Sequence, residues 1–484
     1  MKLKFSIFLL FFSQLIISCV AKSYNPSDKS SKANYELEFL RCLNNEPGSF
    51  CYCPMDDYVT FVGGIGTQYG SAAVQLDDKS ILVAGATNSN FGSPIVGYTG
   101  GDDIFLAKIG IDGSILWNTM LGNSLEDENT SNVVKLSNGL IIIASNSLNQ
   151  IGQNVLRAHP SSGTYYDSFI ALYDSVSGQN ILTNYLPNAD NNGVSQFIRT
   201  NDGAGVFITG NANQNFSQGN LVLSHSANLL IPEPYLMRVD SAGNILWQTF
   251  FSSGVSNINT RKIYEDLLGN IYLTGDANTQ FGSPVNPHSG TNDSFIIKFS
   301  ASGVLQWLTF FGVNAPTQVE TTYDILELNG SLFISGGFLG NFAPNPVRSY
   351  SGNANGDVGL LKLNLLTGQL EAHTFIGFVS QSSITTLQIT KEGNIRGIGQ
   401  SDTAFGTPAT PFNGGTDGLI FDWKSDLSYF AHGYFGTSQS ESVMNTAELC
   451  NRGRMIIGSG LQDFENVKVH HSTSLSDAFL KAIH

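Results

Sequence analysis

The sequence predicts an all-β fold, a seven-bladed β-propeller of four-stranded antiparallel blades. Three observations predict it: a long internal period, a four-strand pattern within each period, and a composition rich in turns. An Asp followed by a short apolar strand recurs at Asp103, Asp167, Asp293, Asp357, Asp417 and Asp477, with Glu233 opening a degenerate seventh copy. The spacings of 64, 66, 60, 64, 60 and 60 residues are too regular for chance. The 51 glycines and only 13% charged residues favour short strands joined by turns over amphipathic helices.

The first element lies outside this period. Lys2 and Lys4 precede an uncharged run from Phe5 to Ile17, which matches a secretory signal and is too short for an ordinary membrane span. The sequence Ile16-Ile17-Ser18-Cys19 then resembles the relaxed lipobox of bacterial lipoproteins. That resemblance implies a signal peptide over 1–18, cleavage before Cys19, and fatty acyl chains, palmitate among them, on that cysteine. An ordinary signal would want a small residue where Ile16 stands. The polar stretch from Val20 to Asn34 cannot bury enough apolar surface to order itself, so 19–57 reads as a tether with a cysteine-containing segment. The propeller is expected over 58–484.

Losing Lys2 and Lys4 takes the net charge from -15 to -17. Such an acidic surface repels phosphate backbones and anionic head groups, which argues against nucleic acid and leaves membrane attachment to the lipid. The expected location is the bacterial cell envelope, at an outer membrane, facing the periplasm or the surface.

Within each period an apolar segment such as Val133–Leu136 comes first. A strand ending in glycine follows, as at Ile81–Gly85, Val206–Gly210, Ile271–Gly275, Leu332–Gly336 and Met455–Gly458, with Ile141–Ser145 lacking the glycine. The Asp strand is third. A turn such as Asp112-Gly113 then leads to a strand marked by Trp117, Trp247 or Trp307. Such blades bury their faces only against one another, so the array must close or be capped. The last copy stops after Ala482, and the body opens with an orphan outer strand, Tyr58–Gly63, with Tyr58 standing five residues before its glycine as Trp117 stands before Gly122. Pairing that strand with the Asp477 strand would close the ring.

The phrase 269–275, then Phe281–Pro284, the strand Asp293–Lys298, Trp307 and 310–312 resembles the bacterial SBBP β-propeller repeat. The likeness covers roughly Tyr58 to the C-terminus and is weakest from Gly193 to Glu233, where Ile231-Pro-Glu-Pro234 replaces the glycine-rich lead-in. It implies an exported propeller protein and says little about chemistry.

The repeated Asp residues read as turn caps or ties through backbone N–H groups, because catalysis needs one asymmetric set of groups. The three Trp residues read as packing between blades, with carbohydrate stacking as the alternative. No zinc helix, nucleophile elbow or phosphate loop occurs, so no catalytic residue, cofactor or metal is expected. The stretch 188–193 has the oxygens and glycine of a calcium loop, yet Arg199 stands where the closing carboxylate belongs. His470-His471 lacks a partner at ligand spacing. Cys42, Cys51, Cys53 and Cys450 are candidates for disulfides in an oxidising compartment, in any of three pairings, and the distant Cys450 suggests one bridge from the N-terminal segment to the last blade. Two functions remain. One is a monomeric binding or scaffold module using its loops for a protein or carbohydrate ligand. The other is a polysaccharide-acting lyase or glycosidase with a site in the central channel, for which Arg199, Arg261 with Lys262, and Glu327 are the non-repeated candidates.

Overall fold

The computed structural model describes residues 59–483 apart from 124–127, 129, 131, 160–164, 188–191, 227–229, 253, 255–256, 314–319, 353–355, 377–381, 391, 450–453, 461–466 and 470–475. No helix occurs among the described residues. Seven sheets make a seven-bladed β-propeller. Blades 1 to 7 are named here by their third strands: Asp103–Ile109, Asp167–Asp174, Glu233–Asp240, Asp293–Phe299, Asp357–Asn364, Asp417–Trp423 and Asp477–Ile483. Blade 4 shows the plan from the channel outward: Ile258–Glu265, Ile271–Ala277, Asp293–Phe299 and Leu305–Phe311, each antiparallel to the next.

The ring closes as the repeat phase requires. The strand Val59–Val62 lies antiparallel to Asp477–Ile483, with Thr60 opposite Leu480 and Phe61 opposite Phe479. Thr60 Oγ1 also donates to Gly113 O at 3.1 Å, which ties the last blade to the first. Two sheet edges that would each expose a row of backbone groups satisfy one another instead.

The four-strand expectation needs one correction. In blades 2, 3 and 7 a fifth short strand, Val155–Arg157, Asn220–Leu223 or Val467–Val469, runs parallel to the outer strand. The other blades carry the same device as two backbone bonds. In blade 1, for example, Ile95 N donates to Asn118 O and Met120 N to Val96 O. In every blade the loop from the second to the third strand therefore returns to cover the outer edge, whose N–H and C=O groups would otherwise be a template for pairing. The sequence conceals this because the returning segments are short and rich in Gly, Pro and Asn, without alternation.

The core lies between blades. All of Asp103–Ile109 and Asp293–Phe299 is buried. One cluster joins Leu82 and Leu106 of blade 1 to Ile141, Phe169 and Tyr173 of blade 2. Each fully buried side chain of this kind contributes roughly 1.5–3 kcal/mol against solvent exposure. That is why one blade alone could not keep its faces dry.

Candidate functional site

The repeated Asp residues are buried, and Asp103, Asp293, Asp357 and Asp417 accept bonds from the loop that leads into their own strand. Asp293 takes Ser289 N at 2.6 Å and Gly290 N at 2.9 Å; Asp417 takes Asn413 N at 2.6 Å; Asp357 takes Ser351 N at 2.6 Å. Burial pushes the carboxyls of Asp103 and Asp417 above the usual range. Glu233, one methylene longer, accepts Ser226 N at 3.0 Å, so the degenerate blade keeps the tie with a longer reach. These are loop anchors repeated around the ring.

The Trp residues lie between blades. A Cβ on Gly178, Gly303 or Gly368 would strike the indole of Trp117, Trp247 or Trp307 respectively, and each of these glycines sits in the turn of the following blade. Trp247 and Trp307 are 8% exposed, which leaves no face free for stacking a sugar. Lys108 and Lys298 work from the far end of the Asp strand, each donating to a carbonyl of the next blade's turn, Ser175 O and Leu365 O, at 3.3 Å.

The non-repeated candidates are spent in similar ways. Arg261 Nε donates to Asp276 Oδ1 at 2.7 Å within blade 4. Lys262 reaches Asp324 Oδ1 of blade 5 at 3.6 Å, and Tyr264 OH reaches Glu327 Oε2 of blade 5 at 3.5 Å. Arg199 Nη2 donates to Ser137 Oγ of blade 2 at 3.1 Å. Arg199 thus bonds toward blade 2 while the other three bond within and between blades 4 and 5, and none of these bonds joins the four side chains into one acid–base set.

One feature of the inner strands was not read from the sequence. In six blades the pairing of inner and second strands slips by one residue, with Ser71, Ser195, Arg261, Tyr323, Thr385 and Met444 as the extra residue in the register. The slip drives an inner-strand carbonyl against the second strand. At Gly275 a Cβ would collide with Asn259 O, so only glycine fits, and the glycines of the other strand endings stand in the same place. The bulged residues share one phase on the strands bordering the channel, and apart from the serines Ser71 and Ser195 they differ from blade to blade. The strand-ending glycines were the signal, because a glycine at one repeated strand position marks a bulge or a close backbone approach.

Also unforeseen are Glu128, Glu320 and Glu441, each 1% exposed. They follow Asp103, Asp293 and Asp417 by 25, 27 and 24 residues, a near-constant offset that marks one position of the repeat. Cys19, Cys42, Cys51, Cys53, Cys450, Tyr58, His470, His471 and most of the calcium-loop candidate lie outside the described residues.

No family model matches the chain, and no curated protein matches it in sequence. Among solved structures it is similar to an acylaminoacyl peptidase of Pyrococcus horikoshii, at 9% identity and a TM-score of 0.41, over 85% of this chain and 50% of that one. It is also similar to the β-propeller domain of the trilobed protease from Pyrococcus furiosus, at 9% identity and a TM-score of 0.40, covering 86% of this chain and 95% of that one. A third is the phage phi92 endosialidase, at 10% identity and a TM-score of 0.34, over 89% of this chain and 69% of that one. The chain spans about half the length of the Pyrococcus horikoshii peptidase. Likenesses of this size concern the fold and bring no activity with them.

Proposed function

We propose that this chain is an exported lipoprotein of the SBBP-repeat kind, held in a bacterial envelope by lipid on Cys19 and acting as a binding or scaffold module. The observation that carries the reading is how the titratable candidates are used. Arg261, Lys262 and Glu327 each meet a group on their own blade or an adjacent one, so they rigidify the ring. The other bulged inner-strand residues, Ser71, Ser195, Tyr323, Thr385 and Met444, are instead where recognition can differ without cost to the frame.

Three measurements test this. Cys19→Ala should move the protein from the detergent phase to the aqueous phase of a phase-separating detergent; unchanged partition refutes the anchor. The purified propeller applied to a polysaccharide array should retain glycans without cutting them. Release of reducing ends or unsaturated products would establish an enzyme instead. Peptide mapping under non-reducing conditions should find Cys42, Cys51, Cys53 and Cys450 paired, and a free Cys450 would exclude the bridge to the last blade.

A further inference from the structure

Where each outer strand ends and the chain passes to the next blade, one position is Gly63, Gly122, Gly312 or Gly436 in four blades, and Leu186, Ser252 or Ile376 in the others. The glycines accompany a long polar side chain at the start of the next blade: Gln68, Glu128, Glu320 and Glu441. Leu186 accompanies the shorter Asn192, and Ile376 the shorter Ser382. The geometry explains the correlation. A Cβ on Gly122 would meet both Asp103 Oδ1 and Glu128 Oε2, and one on Gly436 would meet both Asp417 Oδ1 and Glu441 Oε2. The long acid fills the room that the glycine leaves, facing the loop-anchoring Asp of the preceding blade.

The backbone fixes this position. Glu128 N donates to Asp102 O at 2.6 Å, Glu320 N to Asn292 O at 3.3 Å, Glu441 N to Thr416 O at 2.8 Å and Asn192 N to Tyr166 O at 3.1 Å. Four seams thus place the same position of the repeat against the same anchor. At the Asn192 seam the side chain supplies a donor, Nδ2 to Asp167 Oδ1 at 3.0 Å. A glutamate in that place supplies a donor only with a proton on it.

We propose that the seams Asp103–Glu128, Asp293–Glu320 and Asp417–Glu441 each hold one proton shared between two buried carboxyl groups, so that the ring is tight in acid and loosens above neutral pH. The described ion pairs of lysine and arginine go to other acids, namely Asp77, Asp78, Asp202, Asp276, Asp324, Glu371 and Asp422. The titratable groups facing the seams are Asp102 beside Asp103, His288 at 3.9 Å from Asp293, Tyr350 beside Glu320, and Tyr434 beside Asp417. Backbone donors keep two of the acids in place, Val313 N to Glu320 Oε1 and Thr437 N to Glu441 Oε2, both at 3.1 Å, and the side-chain amide Asn123 Nδ2 donates to Glu128 Oε1. Burial, with the Asp293 carboxyl close by, pushes Glu320 up from 4.5 to about 7, and Glu441 rises for the same reasons with Asp417 as neighbour.

The sign follows from linkage. An acid whose folded value is raised binds its proton more tightly in the native ring. Its stabilisation is complete below about 4.5 and is lost as the pH passes about 7.

The test is the triple variant Glu128→Gln, Glu320→Gln and Glu441→Gln, with each single variant beside it, unfolded in urea at pH 5 and pH 8. Glutamine keeps the shape and donates at every pH. The wild-type unfolding equilibrium should move between these pH values by on the order of a hundredfold more than that of the triple variant. An infrared band of neutral carboxyl groups at pH 6 should be present in the wild type and weakened in the variant. Equal pH slopes, or no such band, would overturn the proposal. So would a wild type stabilised by added calcium and destabilised by chelator while the variant responds to neither, because a cation would then occupy the seam. Should the triple variant fail to fold, the single Glu441→Gln variant and the wild-type infrared band decide the question.

Discussion

Blades 2 and 4 descend from the same pattern and differ at three of its positions. Blade 4 has Gly275 opposite Phe295, an inner strand of 8 residues and Trp307 against the next blade's turn. Blade 2 has Ser145 opposite Phe169, an inner strand of 2 residues at Val134–Lys135, and Ile181 in place of the Trp. Yet its second and third strands pair without a break from Leu140 opposite Asp174 to Ser147 opposite Asp167. The blade without the glycine thus has a shortened inner strand and two central strands that are untouched. A propeller tolerates a poor copy because each blade is held from both sides.

Moving blade 2's residue into blade 4 should give the largest effect. Gly275→Ser places a Cβ against Asn259 O and the Phe295 ring in a fully buried strand, so either the bulge or the pairing must give way. We expect a loss of about 3 kcal/mol, at the upper end for an overpacked core. Urea unfolding checks it, and hydrogen exchange should show the loss of protection confined first to 258–265. A variant as stable as the wild type would mean that the bulge does not require the glycine.

Trp307→Ala removes an indole that is 8% exposed and covers Gly368, and should likewise cost about 3 kcal/mol. Ile181→Ala in blade 2 acts on a side chain that is 45% exposed, so its cost should stay below about 1 kcal/mol. Similar losses in the two variants would show that the exposed Ile181 carries as much of its seam as the indole does.

Much of this was legible beforehand. The period, the ring closure through the strand after Tyr58 and the inter-blade role of the Trp residues all follow from regular spacing, because a repeat reports seven times what one site reports once. The outer-edge cover was hidden, since parallel pairing of a loop through two backbone bonds demands no side-chain pattern. The seam acids were hidden for another reason. Glu128, Glu320 and Glu441 alternate with Gln68, Asn192 and Ser382, and a position that changes residue type looks like surface until its partner is known.

Asn192→Asp converts the amide seam of blade 2 into a carboxyl seam and so sharpens the comparison chemically. At pH 5 the new carboxyl can keep its proton and donate to Asp167, so stability should stay close to that of the wild type. At pH 8 two carboxylates face each other out of water, and a loss of about 2 kcal/mol is expected. Thermal unfolding at the two pH values reads the difference. The stability given by a raised carboxyl is present in acid and lost as pH rises, so a variant destabilised equally at both pH values would deny that this position is a proton donor.

The smallest effect is expected from the reverse exchange, Ser145→Gly. If the missing glycine alone shortened the inner strand of blade 2, restoring it should let the strand lengthen and stabilise the ring. The neighbouring side chains oppose this. Thr130 Oγ1 donates to Ala144 O at 3.1 Å and to Asn132 O at 2.9 Å, while Asn132 Nδ2 reaches across to Phe197 O of blade 3 at 2.8 Å. These bonds already occupy acceptors that a bulged strand would use. The substitution also adds backbone freedom to an interior strand position, which costs roughly 0.5–1 kcal/mol. We therefore expect Ser145→Gly to destabilise by less than about 1 kcal/mol, with exchange protection at 130–135 unchanged. A stabilised variant, with new protection over those residues, would place the whole difference between the two blades at one Cβ. The expected result instead assigns it to Ser145 together with the side chains that have taken over the acceptors.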